Sequence, residues 1–215
     1  MCEATSNLMH HSENKMKYSF KFICLLIPFC MVFSVKAVNY YELGAFSKDN
    51  SLQMVVEIPA GTNKKIEYNQ HHNTFLIDKI NGANRIIDFL PYPGNYGFIP
   101  STLMDKDRGG DGDALDVLLI SESVETGTIL NIIPIGVLVL EDSGEIDTKI
   151  IAIPLEKSAQ IIDASSYDEL HKNYSALKDI IKLWFVHYKG EDVIKFVKWD
   201  NEIAAQKEIN KWMSN

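Results

Sequence analysis

The chain has 215 residues, of which 46% are hydrophobic and 23% are charged, and its formal net charge at pH 7 is −8. This length and composition are typical of one globular domain with a sizeable core. The acidic balance argues against a general nucleic-acid-binding protein, because nucleic acids bind basic surfaces.

Residues 1–37 have the layout of a secretory signal peptide. Lysines precede an apolar run over residues 22–35, and Val35 and Ala37 place small residues just before a cut after Ala37. Met16 is a candidate start, because the leader begins well there. We expect cleavage and export to the periplasm or the exterior. An uncleaved membrane anchor and a cytoplasmic protein are the alternatives, although the apolar run is short for a membrane span.

The cysteines agree with a discarded leader. All three, Cys2, Cys24 and Cys30, lie upstream of the proposed cut. A mature domain over residues 38–215 would therefore have no disulfide, no thiolate chemistry and no cysteine-bound zinc.

Short apolar runs separated by turn residues predict a mainly β domain. Residues 39–50 are expected to be an irregular arm, and residues 91–100, rich in proline and glycine, a long irregular segment. Pro134 and Gly136 predict a bulge in the longest strand. Strands are predicted over 52–58, 65–68, 74–78, 85–90, 117–120, 129–140 and 148–153.

Strands of this number and spacing are typical of a closed or nearly closed barrel. Helical periodicity occurs only late in the chain. Apolar residues from 170 to 188 recur at three- and four-residue steps, and a second helix is predicted from about Asp200 to Trp212.

The most distinctive stretch places three carboxylates, Asp111, Asp113 and Asp116, within six residues among glycines. Glycines allow a sharp turn, and the apolar run that follows predicts a buried strand. Like charges this close repel one another unless a cation lies among them, and carboxylates suit Mg²⁺, Mn²⁺ or Ca²⁺. A solvated acidic loop is the alternative. A calcium-binding EF-hand is disfavoured, because the flanking segments are not helical.

A second acidic cluster over residues 141–147 is, by itself, more typical of a hairpin turn. Lys65 and Glu67 share one face of a short strand, which a surface ion pair would also explain. No phosphate-cradling glycine loop, nucleophile elbow or zinc-type histidine spacing occurs in the sequence. Together, the carboxylates, lysines, arginine and tyrosines suit several divalent metal ions that hold a small, highly charged phosphate compound.

From about Met54 to the C-terminus the chain resembles the family I soluble inorganic pyrophosphatases. The motifs follow the family order and make the resemblance specific. They are Glu57-Ile58-Pro59, Lys65-Ile66-Glu67, Arg85, Tyr92-Pro93-Gly94-Asn95-Tyr96-Gly97, Asp111-Gly112-Asp113-Ala114-Leu115-Asp116, the spaced Asp142, Asp147 and Lys149, and His187-Tyr188-Lys189.

The resemblance implies an α+β fold that is mainly β, with a five-stranded, OB-like closed β-barrel flanked by helices. It implies hydrolysis of pyrophosphate to two phosphates by a metal-activated water, in a single domain over residues 38–215. It also implies a homo-oligomer, either a dimer or a hexamer, with no nucleic-acid partner and no stable membrane span after leader cleavage.

The resemblance further implies that each active site binds several Mg²⁺ ions, with Mn²⁺ or Zn²⁺ as substitutes. Asp111, Asp116 and Asp147 would bind the most persistent ion. Asp116 would also reach a second ion, and Asp142 with Asp147 would bind a third. Glu67 would reach an ion that enters with the substrate.

Around these ions, Glu57 would support the metal shell through water. Asp113 would be the general base for a water that bridges two ions. The remaining substrate-binding and catalytic side chains would hold the phosphates: Lys65, Arg85, Lys149, Tyr188 and Lys189, with Tyr96 nearby.

Ala114 is a departure, because the family usually has proline there. We expect a more mobile loop rather than lost activity. A phosphate or calcium binder that has lost catalysis and acts as an exported scavenger is the competing class. The presence of Asp113 argues against it, since pure binding needs no general base.

Overall fold

The computed structural model describes residues 38–213. The three α-helices are α1 Tyr167–Asn173, α2 Ser175–His187 and α3 Glu202–Trp212. Short 3₁₀ turns lie at Tyr40–Glu42, Lys106–Arg108 and Lys157–Ala159. The strands are β1 Gln53–Ile58, β2 Ile66–Asn69, β3 Thr74–Ile77, β4 Lys79–Ile80, β5 Ala83–Asn84, β6 Asn95–Phe98, β7 Asp116–Leu119, β8 Ile129–Asp142, β9 Glu145–Pro154 and β10 Ile194–Asp200.

Five strands form a closed ring in the order β1-β6-β7-β9-β8, with β8 pairing back to β1. This confirms the predicted mainly β, five-stranded ring. Closure depends on the 14-residue length of β8. One end of β8 pairs with β1, and its other end pairs with β10. All pairings in the ring are antiparallel except β7 with β9.

The predicted bulge in β8 is confirmed. The register between β8 and β9 shifts between Pro134 and Gly136. Gly136 also lies close to neighbouring elements, since an added Cβ would be 3.1 Å from the backbone oxygen of Asp200. The bulge therefore bends the strand where another segment packs on it.

Alternate residues of the ring strands face two apolar cores. Leu118 and Ile151 belong to the core that includes α2, while Val117, Leu119 and Ile150 belong to the core that includes α3. Because side chains alternate along a strand, a strand between two cores is apolar at every position. This explains the unbroken apolar runs in the sequence.

Three strand assignments from the sequence were wrong. Residues 85–90 are not a strand; they follow the β4–β5 hairpin and make only an isolated bridge, from Ile86 to Lys64. The segment 91–100, expected to be irregular, contains the fully buried strand β6. Strand β10 was not predicted.

Glycine explains how β6 can lie between two strands in a turn-rich segment. A Cβ on Gly97 would be 1.9 Å from the Val55 backbone oxygen, so only glycine allows this approach to β1. The local composition predicts a loop, and the neighbouring strands convert it into a strand.

The helical predictions were close. The periodic segment is two helices, since Tyr174 separates α1 from α2. Asn201 caps α3, because its side-chain oxygen accepts a hydrogen bond from the Ala204 N–H. Ile181, Trp184 and Phe185 form the buried face of α2.

The signal peptide, the start at Met16 and the cut after Ala37 fall on residues outside the described range. No helix within residues 38–213 is long and apolar enough to cross a membrane.

Candidate active site

The structure brings all 13 sequence-predicted site residues to two cavities that share walls. The larger cavity has a volume of about 310 Å³. Glu57 and Glu67 line the smaller one, of about 200 Å³, which shares Lys65, Asp113 and Asp116 with the first. The predicted residues that line the larger cavity are Lys65, Arg85, Tyr96, Asp111, Asp113, Asp116, Asp142, Asp147, Lys149, Tyr188 and Lys189.

The acidic loop before β7 is held by backbone hydrogen bonds to Met104. The Gly112 N–H donates to the Met104 carbonyl, and the Met104 N–H donates to the Asp113 carbonyl, both at 2.7 Å. Gly110 is required here, because an added Cβ would lie 2.3 Å from the Met104 backbone. Within the loop, the Asp113 N–H donates to Asp111 Oδ1 at 2.9 Å. The loop is therefore fixed from both sides.

The sheet register sets the next group. Asp116 is the first residue of β7 and lies opposite Phe98 of β6 on one side and Lys149 of β9 on the other. Asp147 lies two residues before Lys149 and so shares its face of the strand. The parallel pairing of β7 with β9 thus places two carboxylates around one ammonium group.

Lys149 is buried between these carboxylates, with 5% of its surface exposed. It forms ion pairs with Asp116 and with Asp147. Burial by itself would lower the pKa of Lys149, but the two negative charges outweigh it and hold the pKa well above its ordinary value. The lysine therefore stays charged.

Burial also perturbs the acids. It raises the pKa of Asp147, which the charge of Lys149 only partly offsets. The pKa of Asp113 is raised first by desolvation and then by the charges of Asp111 and Asp116. The cavity therefore concentrates negative charge that a cation would stabilise.

Glu57 is also buried, with 7% of its surface exposed. Its Oε1 accepts a hydrogen bond of 2.7 Å from the Tyr68 N–H. Burial nevertheless raises its pKa to about 7, against the lowering effect of Lys65 and of that hydrogen bond. Lys65 pairs with Glu67 at 3.2 Å, across the mouth of the same cavity.

An aromatic cluster forms the opposite wall. The Nζ atoms of Lys65 and Lys149 lie 5.4 and 5.6 Å from the centre of the Tyr96 ring. Tyr188 stacks on Trp184 at 4.8 Å, and the Trp184 indole N–H donates to a backbone carbonyl at 2.8 Å. These contacts fix the tyrosines and keep two lysines close to the Tyr96 ring.

Two further cationic side chains, Lys189 and Arg85, line the larger cavity. Lys189, just after α2, pairs with Asp142 at the end of β8. Partial burial would raise the pKa of Asp142, but the hydrogen bond from Lys189 reverses this and lowers it. Arg85 pairs with Asp78 at 3.2 Å.

Sequence reasoning missed several neighbours of the site. Asp78, which orients Arg85, stood in a predicted strand without an assigned role. Ser143 and Glu145 line the larger cavity from the β8–β9 hairpin. Tyr41, from the N-terminal arm, lines the smaller cavity. No local signal marks Tyr41, because its neighbours in the fold come from distant parts of the chain.

The acidic donors fit hard divalent cations, since all are carboxylate oxygens. Asp147 Oδ1 is buried and accepts no well-formed hydrogen bond; its neighbour is the Lys149 ammonium at 2.5 Å. Within residues 38–213, no three acidic, histidine or cysteine side chains already surround one point as metal ligands. Asp116 and Asp147 pair with Lys149 instead. These two carboxylates would bind a metal ion only if the Lys149 ammonium moved away from them.

Comparison with known proteins gives one consistent result. Residues 54–215 match the family described as inorganic pyrophosphatase. The inorganic pyrophosphatase of Nanoarchaeum equitans is 40% identical over 161 residues, which cover 73% of this chain and 89% of that protein. The inorganic pyrophosphatase of Aquifex pyrophilus is 37% identical over 169 residues, which cover 76% of this chain and 88% of the relative.

Solved structures agree. The crystal structure of an inorganic pyrophosphatase from Neisseria gonorrhoeae superposes with a TM-score of 0.66 at 32% identity, covering 82% of this chain and 97% of that chain. That of the inorganic pyrophosphatase from Thermus thermophilus superposes with a TM-score of 0.70 at 27% identity, with the same coverage of 82% and 97%.

Proposed function

The chain belongs to the inorganic pyrophosphatase family, and we propose that its active site lies in the two cavities. There the enzyme hydrolyses pyrophosphate with several Mg²⁺ ions and with Asp113 as general base. Hydrolysis of pyrophosphate to phosphate is the activity of the family, and this chain is an enzyme of that class. The assignment of metal ions to residues rests on the resemblance of the motifs to those of the family, and the clustering of these residues in two cavities supports it.

The observation that carries the proposal is the mixture of charges around one small cavity. Six carboxylates and four cationic side chains line a volume of about 310 Å³. Carboxylates would repel pyrophosphate, so a highly charged anion binds there only when divalent cations neutralise the acids. The lysines and the arginine can then bind the phosphoryl oxygens. The cavity therefore suits a metal-bound phosphate anion.

The ligands are assigned by the resemblance of their motifs to those of the family. Asp111, Asp116 and Asp147 would hold the most persistent ion, and Asp116 would also reach a second. Asp142 with Asp147 would hold a third. Glu67, across the smaller cavity, would meet an ion that accompanies the substrate. When bound, such ions lower the pKa of water and neutralise charge on the phosphoryl oxygens.

Asp113 is the side chain best placed to accept a proton. It lines both cavities, its backbone is fixed through Met104 and Asp111, and it pairs with no lysine or arginine among the described residues. The pKa of Asp113 is raised by desolvation, which makes the carboxylate a better base than an exposed aspartate. Glu57, whose Oε1 accepts a hydrogen bond from the Tyr68 N–H, would support the metal shell through water.

The cationic wall binds and orients the phosphates. Lys65 and Lys149 face the Tyr96 ring, and Lys189 lies at the end of α2 beside Tyr188. Burial raises the pKa of Tyr188, so its hydroxyl stays protonated and donates hydrogen bonds to anions. Arg85, oriented by Asp78, offers a planar pair of donors.

The test is release of phosphate from pyrophosphate by the purified protein, with Mg²⁺ and with a chelator. We expect turnover with Mg²⁺ only. Asp113→Asn should lower kcat by roughly 10²–10⁴, the usual contribution of a positioned base, with little change in the Mg²⁺ dependence. Asp163→Asn is the matched control, since Asp163 is exposed and its one ion-pair partner within residues 38–213 is Lys157. Full activity of Asp113→Asn would refute the assignment of the base.

The choice of ion can be tested separately. The ligands are all oxygens, and the reaction requires an acidified water. Ca²⁺ accepts looser geometry than Mg²⁺ and acidifies water less, so we expect Ca²⁺ to inhibit and Mn²⁺ to substitute. Equal turnover with Ca²⁺ and Mg²⁺ would contradict the proposed geometry.

The proposal extends to export and assembly. The order of lysines, apolar run and small residues in the leader supports cleavage after Ala37, and mass spectrometry of the mature protein should find Val38 first. Exposed apolar side chains on α2, Ile180 and Leu183, support a homo-oligomer, either a dimer or a hexamer. Light scattering of the purified protein would measure its mass.

A further inference from the structure

The N-terminal arm, residues 39–46, lies outside the region that matches the family, yet it forms part of the site wall. The Asn39 side chain caps its 3₁₀ turn by accepting from the Tyr41 N–H at 3.2 Å. The Ser101 N–H donates to the Tyr41 carbonyl at 3.1 Å, and the Ser101 hydroxyl donates to the Leu43 carbonyl at 2.7 Å. The arm is therefore fixed to the segment that follows β6.

Tyr41 projects from this arm into the acidic part of the site. Its ring centre lies 5.1 Å from that of Tyr68 and 4.7 Å from that of Phe98, which hold it in place. It lines the cavity that contains Glu57, Glu67, Asp113 and Asp116.

Tyr41 also lines a third cavity, of about 400 Å³, together with Thr102, Gly112 and Asp113. Asp113 is the one aspartate that borders this cavity and both cavities of the active site. Tyr41 and Asp113 thus both line the smaller cavity of the active site and this third cavity.

The Tyr41 hydroxyl is available there as a hydrogen-bond donor. It makes no hydrogen bond to any residue within the described range. Burial raises the pKa of Tyr41, and the charges of Glu57 and Asp113 raise it further, so the phenol keeps its proton. A protonated hydroxyl among carboxylates donates its hydrogen bond to one of them, directly or through water.

We propose that Tyr41 is a positioning residue for the reaction: its hydroxyl donates a hydrogen bond, directly or through one water, to the Asp113 carboxylate and orients this base. The proposal rests on the proposed role of Asp113. It assigns a function to a residue that precedes the family match.

The adjacent Tyr40 provides a matched control. It lies in the same 3₁₀ turn, and its ring packs on Tyr68 and Phe75 at 5.2 and 4.9 Å. It lines none of the three cavities. Removal of its hydroxyl tests the packing of the arm without a change at the site.

The first measurement compares Tyr41→Phe with Tyr40→Phe in the otherwise unchanged protein. We expect Tyr41→Phe to lower kcat on the order of tenfold, the contribution of one hydrogen bond to a charged group, with unchanged KM for pyrophosphate, unchanged Mg²⁺ dependence and unchanged Tm. Tyr40→Phe should match the parent. Equal kcat for Tyr41→Phe and the parent, or an equal loss in both variants, would overturn the proposal.

The second measurement adds Asp113→Asn to make a double-mutant cycle. If Tyr41 acts through Asp113, Tyr41→Phe should cause less than a twofold further loss in the Asp113→Asn background. An undiminished tenfold loss there would refute the coupling. Full activity of Asp113→Asn alone would instead refute the proposed base, and a loss there with a silent Tyr41→Phe would refute only the role of Tyr41.

Discussion

The two acidic clusters of the site are held in different ways. Asp111 and Asp113 lie in a loop that hydrogen bonds hold to Met104, the residue at which the loop begins, while Asp116 is the first residue of β7. The cluster with Asp142 and Asp147 belongs to the β8–β9 hairpin, in which Asp142 pairs with Glu145 in register. Asp111 and Asp113 therefore depend on backbone contacts within one loop, whereas continuous strand pairing fixes the second cluster.

This difference teaches where the site is fragile. A strand pair tolerates local change, because neighbouring ladder hydrogen bonds retain the register. A glycine loop pressed against another backbone tolerates no added atom. Changes in the first cluster should therefore reduce catalysis more than equivalent changes in the second.

Apart from Asp113→Asn, the largest effect is expected from Gly110→Ala. The added Cβ would lie 2.3 Å from the Met104 backbone, so the acidic loop must move away. A misplacement of about 1 Å at a catalytic group can cost on the order of 10²-fold in rate, and we expect kcat to fall by at least that factor. The fall in kcat is measured by steady-state phosphate release. A circular dichroism spectrum like that of the parent checks that the variant is folded. A loss below about threefold would mean that the close contact between Gly110 and the Met104 backbone does not position Asp113.

Asp116→Asn compared with Asp142→Asn should separate the clusters at the level of metal binding. Asp116 begins β7 between two neighbouring strands and is assigned to two ions, whereas Asp142 is assigned to one. We expect the Mg²⁺ concentration for half-maximal activity to rise more in Asp116→Asn than in Asp142→Asn. High Mg²⁺ should partly restore both by mass action. A larger rise in Asp142→Asn would reverse the assignment.

Gly144→Ala tests the tolerance of the hairpin. Gly144 has φ +92°, but nothing lies within 4 Å of an added Cβ. The left-handed backbone costs a non-glycine residue roughly 1–2 kcal/mol, so Tm should fall by about 2–8 °C. Activity at low temperature should stay within about twofold of the parent, because strand pairing holds the neighbouring acids in place. A large loss of activity with unchanged Tm would contradict this.

The smallest effect is expected from Ala114→Pro, in the first loop. Ala114 is buried beside Val55, Tyr68 and Phe98, and its N–H donates no hydrogen bond within residues 38–213. Proline would remove no bond there and would restrict the unfolded chain. We expect a gain of about 0.4–1 kcal/mol in the free energy of unfolding with activity retained. Loss of stability in a urea titration would show that the backbone at this position does not accept proline.

The sequence by itself determined the elements that depend on local chemistry. Glycines beside Asp111 and Asp113 specify a turn wherever that segment lies, and three- and four-residue apolar spacing specifies α2. The residue motifs, in their family order, predicted 13 residues that line the cavities, but not Tyr41, Ser143 or Glu145. These features need no knowledge of distant contacts, and the closed ring agreed with the number and spacing of the strands.

Only the tertiary structure decided the features that depend on partners far away in the chain. Strand β6 lies in a segment whose prolines and glycines predict a loop, and it is a strand because β1 and β7 flank it. Asp78 meets Arg85 through the turn between β4 and β5, and Tyr41 lines the same cavity as Asp113 because its arm is anchored at Ser101. Local propensity carries no information about such pairings, because the stabilising contact forms only when the ring has closed.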